Sequence, residues 1–270
     1  MEDNYKKKYI KYKKKYLQLK SKTLIINHCG GTPQTNEIKI YDEHRNLIDI
    51  KKIENKEQEL AKQHVLPSDS VLELGARYGS VSVTVNKIIK NKTNHIVVEP
   101  DSRVWDALEF NKQVNNCKFH IFKGFIGKHK YSLINKDGCD GYSSTMVPDV
   151  ESNIESITLK KLLNRHKIKP SVLIADCEGC FELFVNENME FIKNLRLIMY
   201  EADYPNKSNY SKIENILTKN KYKIVDIWSN QYVWKKIGPG ENVDLNKQKK
   251  YLIKNRKLLE KKWFKMTTSN

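Results

Sequence analysis

Four short motifs place glycines and carboxylates at spacings that suit nucleoside binding and proton transfer. The first is Val71-Leu72-Glu73-Leu74-Gly75-Ala76-Arg77-Tyr78-Gly79-Ser80. An apolar run ends at Gly75, which lets the backbone approach a ligand closely, and Gly79 admits tight packing where a helix starts. Glu73, two residues ahead of Gly75, suits a ligand with a cationic amino group. The second motif, Ile96-Val97-Val98-Glu99-Pro100-Asp101, puts Glu99 24 residues after Gly75. A carboxylate at that strand end accepts hydrogen bonds from both hydroxyls of a ribose. The pattern is neither Gly-x-Gly-x-x-Gly nor a glycine loop followed by Lys-Ser/Thr, which argues against a dinucleotide or P-loop site.

The third motif, Val172-Leu173-Ile174-Ala175-Asp176-Cys177-Glu178-Gly179-Cys180-Phe181-Glu182, sets Asp176 and Glu178 at the mouth of a buried strand. The fourth, Leu197-Ile198-Met199-Tyr200-Glu201-Ala202-Asp203, does the same for Glu201 on the neighbouring strand. Three carboxylates are thus expected near one site, where one can serve as a base. Cys177 and Cys180 form a single Cys-x-x-Cys pair with no second Cys/His pair nearby, a weak signal for zinc or redox work, so no metal is assigned. The five cysteines, an odd number at irregular spacing, predict a reducing compartment and no disulfide framework.

The elements that must position these residues alternate. Strands are expected at 70–74, 95–99, 117–122, 171–176 and 195–201, with helices at 79–90, 102–113, 156–167, 180–192 and 209–220. Strands 222–228 and 231–236 are separated only by Ser229 and Asn230, which is hairpin spacing. The pattern predicts an α/β fold with a mostly parallel seven-stranded sheet, helices on both faces and a terminal antiparallel hairpin. Four regions follow: a basic Tyr/Lys helical arm and Gly linker (1–36), an extension with a helix from Glu54 to His64 (37–66), the main domain (67–240) and a basic C-terminal helix (241–270). The stretch 123–150 reads as an irregular insert, with Gly138 to Thr145 suited to a substrate loop.

The charge lies at the ends. Of the formal +17, residues 1–22 carry +7 and residues 246–270 carry +8, which leaves +2 for the body. A body that grips phosphates would hold the excess itself. Basic tails make nonspecific polyanion contacts without specifying chemistry. No apolar run reaches the length of a membrane span, and the N-terminus lacks the apolar core of a secretory signal, so a cytoplasmic location is expected.

In order and content, these motifs resemble the FkbM-type S-adenosylmethionine-dependent methyltransferases. The likeness covers about residues 65–236: Glu73-Leu74-Gly75-Ala76-Arg77-Tyr78-Gly79, Glu99-Pro100, Thr158-Leu159, Asp176-Cys177-Glu178-Gly179 and Glu201. Arg77 stands where that family often has Asn, and Phe181 where an acid often follows. The resemblance implies a Rossmann-like class I methyltransferase fold, S-adenosyl-L-methionine as cofactor, and O-methylation of a sugar or glycan-type hydroxyl. It implies Glu73, Gly75, Ala76, Arg77, Tyr78, Gly79, Glu99, Pro100 and Asp176 as cofactor residues, with Gly124 and Phe125 on the adenine side. Asp176 is the first candidate base, Glu201 the second, and Glu178 orients the acceptor. Two alternatives stay open. The basic tails would suit RNA ribose methylation, although the Lys-Asp-Lys-Glu set of many such enzymes is not recognisable. A catalytically silent structural protein would not need the intact glycine and acid motifs. The Tyr/Lys arm resembles arms on proteins of giant DNA viruses, which implies host cytoplasm or virion.

Overall fold

The computed structural model describes residues 37–134, 144–241, 243–244, 246–248 and 250–254. The expected N-terminal helix, the tip of the 123–150 insert and most of the expected C-terminal helix lie outside them. The described elements, in chain order, begin with β1 (Ile40–Tyr41), β2 (Leu47–Ile48), α1 (Asn55–His64), β3 (Val71–Leu74), α2 (Ser80–Ile88), β4 (His95–Val98), α3 (Trp105–Val114) and β5 (His120–Phe122). The insert adds β6 (Gly124–Ile126), β7 (Tyr131–Ile134) and β8 (Thr145–Pro148), and β9 (Glu155–Ile157) follows it. Then come α4 (Leu159–His166), β10 (Val172–Ala175), α5 (Phe181–Glu187), α6 (Met189–Lys193), β11 (Leu197–Glu201), α7 (Tyr210–Lys219), β12 (Tyr222–Trp228) and β13 (Gln231–Lys236).

Seven strands form the main sheet in the order β12-β13-β11-β10-β3-β4-β5. Strands β11, β10, β3, β4 and β5 pair in parallel, and β13 runs antiparallel to both of its neighbours. The hairpin therefore closes the sheet as expected, but its later strand is inserted second from the edge. β3, β4 and β10 are buried at every position, which explains the unbroken apolar run of β10 and the mostly apolar β3 and β4, whose polar residues Glu73 and His95 meet each other. Alternate residues feed opposite faces. Leu72 and Leu173 pack with Leu162, Phe184 and Ile213 of α4, α5 and α7, whereas Val71 and Ile174 pack with Leu60, Val81 and Val85 of α1 and α2.

Three local readings need correction. The insert is not irregular throughout: β7 and β8 form an antiparallel ladder, and β6 pairs in parallel with β9. Helix α4 starts later than expected because Thr158 is its N-cap, its hydroxyl accepting from the Lys161 amide. The helix expected over 180–192 is two, broken at Asn188, whose side chain donates to the Phe184 carbonyl.

Candidate active site

The sheet changes winding direction between β3 and β10, because β4 and β5 extend one way from β3 while β10 and β11 extend the other. Ligands of open α/β sheets bind outside the carboxyl ends of strands at such a switch point. A cavity of about 890 Å³ opens there, lined by Gly75 after β3, Glu99 and Pro100 after β4, Asp176, Cys177, Glu178 and Cys180 after β10, and Glu201 and Asp203 at the end of β11. Two of its loops touch. A Cβ built on Gly75 would sit 1.6 Å from the Asp176 carbonyl oxygen, and Gly75 has φ +80°.

On the β3–β4 side, the Glu99 carboxylate organises the glycine loop. Its Oε2 accepts from the amides of Ala76 (3.0 Å) and Arg77 (2.7 Å), and its Oε1 from that of Asp101 (2.7 Å). Burial raises the Glu99 carboxyl, and the three amides oppose that shift by favouring the anion. Arg77, Val104 and Phe125 complete this wall. Arg77 is itself left-handed at φ 45°, and its guanidinium donates to the Tyr78 hydroxyl.

The remaining expected cofactor residues lie behind the wall. Ala76, Tyr78, Gly79 and Gly124 do not line the cavity. Tyr78 is buried, and its hydroxyl donates to Glu43. Gly79 caps α2 where a Cβ would meet Leu108 at 2.6 Å, and a Cβ on Gly124 would meet the Glu155 carbonyl oxygen at 2.2 Å. Glu73 was expected toward a cationic group of the cofactor. It is 1% exposed, accepts from the Ser82 hydroxyl (2.7 Å) and lies 2.9 Å from His95 Nε2 on the next strand. The cavity's lining does not include it.

The β10–β11 side is acidic. Glu57, Asp176 and Glu201 each bring one carboxylate oxygen within 4.8 Å of the others, as do Asp176, Glu178 and Asp203. Oxygen-only sets suit hard cations, but an acidic cluster alone assigns no ion. Burial, then the charges of Glu201 and Glu57, drives the Asp176 carboxyl well above its ordinary range. Burial and the Glu54 charge do the same for Glu57. Burial, then Glu201 and Glu178, lifts Asp203 to about 8. Burial lifts Glu54 to about 7 against the opposing hydrogen bond from Ser80. Carboxyls this close cannot all ionise without a counter-charge. Asp176 Oδ1 and Glu178 Oε2 are buried with no hydrogen-bond partner among the described residues.

Sequence reasoning expected Asp176, Glu178 and Glu201 together at this site, and all three line the cavity. It missed Glu54 and Glu57 from the start of α1, Asp203, and the aromatic side chains Tyr204 and Trp228 at the rim. It also missed the bond between Cys177 and Cys180. A cross-link over three residues fastens one turn, so it is no framework.

The raised carboxyls predict a pH dependence of stability. The folded protein holds protons on Glu54 and Asp203 that the unfolded chain releases near pH 4, so stability is present at low pH and lost as pH rises towards 7–8. Exposed acids held below their ordinary values, such as Asp42, act oppositely and weakly. Urea unfolding of the ligand-free protein should show stability falling by at least about 2 kcal/mol from pH 5 to pH 8. A flat or rising profile would contradict the protonated cluster.

No protein-family model and no curated protein sequence matches the chain. Solved structures do. One is a ribosomal protein L11 methylase from Lactobacillus delbrueckii subsp. bulgaricus, at 13% identity, covering 68% of this chain and 78% of that one, with a TM-score of 0.42. A precorrin-6y C5,15-methyltransferase from Geobacter metallireducens is 13% identical over 67% of this chain and 86% of that one, with a TM-score of 0.41. The Aeropyrum pernix fibrillarin in complex with natively bound S-adenosyl-L-methionine is 16% identical over 67% of this chain and 72% of that one, with a TM-score of 0.40. Likenesses this distant leave the site to be read from its own geometry.

Proposed function

We propose that the chain is an S-adenosylmethionine-dependent O-methyltransferase acting on a hydroxyl of a sugar or glycan-type acceptor. One observation carries this reading: a switch-point cavity with a Glu99-organised glycine loop on one side and buried carboxylates on the other. When bound, the cofactor supplies an electrophilic methyl group. Gly75, Arg77, Glu99, Pro100 and Phe125 would hold it, with Glu99 offered to the ribose hydroxyls.

Asp176 is the base. Its Oδ1 has no hydrogen-bond partner among the described residues, and its raised proton affinity suits removal of a hydroxyl proton. Glu201 is the second candidate. Glu178 and Asp203 orient the acceptor by accepting from its other hydroxyls. Tyr204 and Trp228, at the rim, offer faces for a sugar ring. Holding the reacting hydroxyl in line, with water excluded, contributes several kcal/mol. The near-neutral body favours a small or glycan acceptor over a polyanion.

S-adenosylhomocysteine should bind and raise the melting temperature by mass action. Glu99→Ala should weaken that binding by about 1–3 kcal/mol, the scale of a lost charged hydrogen-bond partner. Absence of both heat and melting shift in the unmutated protein would overturn the reading.

A further inference from the structure

The motif that the proposed chemistry leaves unused is Cys177-x-x-Cys180. Both cysteines are half-buried, both line the cavity, and they are bonded to each other. Between them stand Glu178 at φ 53° and Gly179 at φ 88°, two consecutive left-handed residues. A non-glycine residue adopts that conformation only where its surroundings impose it. Two ties impose it here besides the disulfide. The Cys180 amide donates to the Cys177 carbonyl at 3.1 Å, and the Ser208 hydroxyl donates to the Gly179 carbonyl at 2.7 Å. The turn begins at Asp176, whose carbonyl packs against Gly75, so its conformation sets where both Asp176 and Glu178 face the cavity.

We infer that Cys177–Cys180 is a thiol–disulfide exchange site, open to a small dithiol through the cavity, and that its redox state switches the acidic turn. A thiolate of the dithiol attacks one sulfur and forms a mixed disulfide, while the bond between Cys177 and Cys180 breaks and the departing sulfur takes a proton. The second thiol of the reductant then attacks the mixed disulfide, closes its own ring and frees the other cysteine. Two electrons and two protons pass to the protein, and the dithiol leaves as a cyclic disulfide. With the bond gone, the covalent tie is lost and only the hydrogen bonds of the turn hold Glu178 left-handed, so the turn loosens while β3, β4 and the Glu99 loop stay paired. The switch stands on this geometry alone. Its consequence, slower turnover in the reduced enzyme, rests on the methyl-transfer reading.

The test uses the full-length protein purified in air, divided, and half treated with dithiothreitol. Alkylation with iodoacetamide and peptide mapping should find Cys177 and Cys180 unlabelled before reduction and both labelled after. Cys117 serves as an internal comparison, because burial pushes its thiol up to about 11 and slows its labelling in both samples. Hydrogen exchange at the amides of residues 178–182 should speed up by about tenfold or more on reduction, with residues 71–77 unchanged. The Cys177→Ser/Cys180→Ser variant should exchange like the reduced protein with or without dithiothreitol. Labelling of both cysteines before reduction, or equal exchange in the two states, would overturn the switch. Neither readout needs the cofactor, so failure to bind S-adenosylhomocysteine would sink the methyl-transfer reading and leave this one standing.

Discussion

Asp176→Asn should keep S-adenosylhomocysteine affinity within about threefold and cut methyl transfer by about 10²–10⁴-fold, the usual contribution of a positioned base. The amide has the size of the carboxylate, so the cavity keeps its shape. What it lacks is a site for the proton. Asp176 follows the central strand β10, and its carboxyl is raised by burial and by the charges of Glu201 and Glu57. Such a group is a stronger base than an exposed aspartate, and it acts only once deprotonated. Turnover should therefore rise with pH above the ordinary carboxylate range, because the Asp176 carboxyl is held well above it. The measurement is methyl transfer from labelled cofactor to a panel of glycosides, alongside calorimetry with S-adenosylhomocysteine. Equal losses of binding and turnover would make Asp176 a cofactor ligand. Undiminished turnover in both Asp176→Asn and Glu201→Gln would remove both from the chemistry.

Gly75→Ala should be the most damaging glycine-to-alanine change among the described residues. At φ +80° any L side chain is strained, and the added carbon would lie 1.6 Å from a backbone oxygen that belongs to the adjacent strand's loop. Neither atom is the end of a flexible side chain. Relief requires β3 and β10 to part at their carboxyl ends, where the Asp176 amide donates to the Leu74 carbonyl. A loss of stability above about 3 kcal/mol is expected, in the range reserved for strain and overpacking. Cofactor binding should be lost with it. Gly240→Ala is the matched comparison: φ is +79° there, but nothing lies within 4 Å of the added carbon. Strain alone should cost Gly240→Ala about 1–2 kcal/mol. Urea midpoints for the two variants separate the collision from the dihedral, and similar losses would refute the close approach.

The fold was legible because its central strands are buried on both faces. The run Val172–Ala175 has no polar residue to confuse it with a helix, and it ends at an acid, Asp176. The site was legible where its residues follow those strand ends, as Gly75, Glu99, Asp176 and Glu201 do. Glu54 and Glu57 were not. Acids at the start of a helix ordinarily complement its dipole in solvent, and only the tertiary structure shows that Glu57 is 6% exposed. Glu73 is the opposite case. Its spacing to Gly75 fits a ligand, but its partner His95 comes from a strand 22 residues away, and no local pattern announces that contact. The Cys-x-x-Cys spacing left zinc, redox and coincidence open, because spacing alone does not say whether other ligands converge.

The inserted position of β13 has a consequence for how the chain acquires its site. β11 gains its second neighbour not from the next strand synthesised but from the one after it, and the hydrogen bond between Gln231 and Glu57 joins residues 174 apart. Trp228, Asn230 and Gln231 line the cavity from this hairpin. A nascent chain that has emerged only as far as residue 220 can bury β3, β4 and β10, yet it presents an open β11 edge and an acidic pocket with one wall missing. Closure waits for the last strands, so the site is assembled late, by contacts of long sequence separation that form slowly. Until then the exposed β11 edge is the part of the chain most open to pairing with another polypeptide.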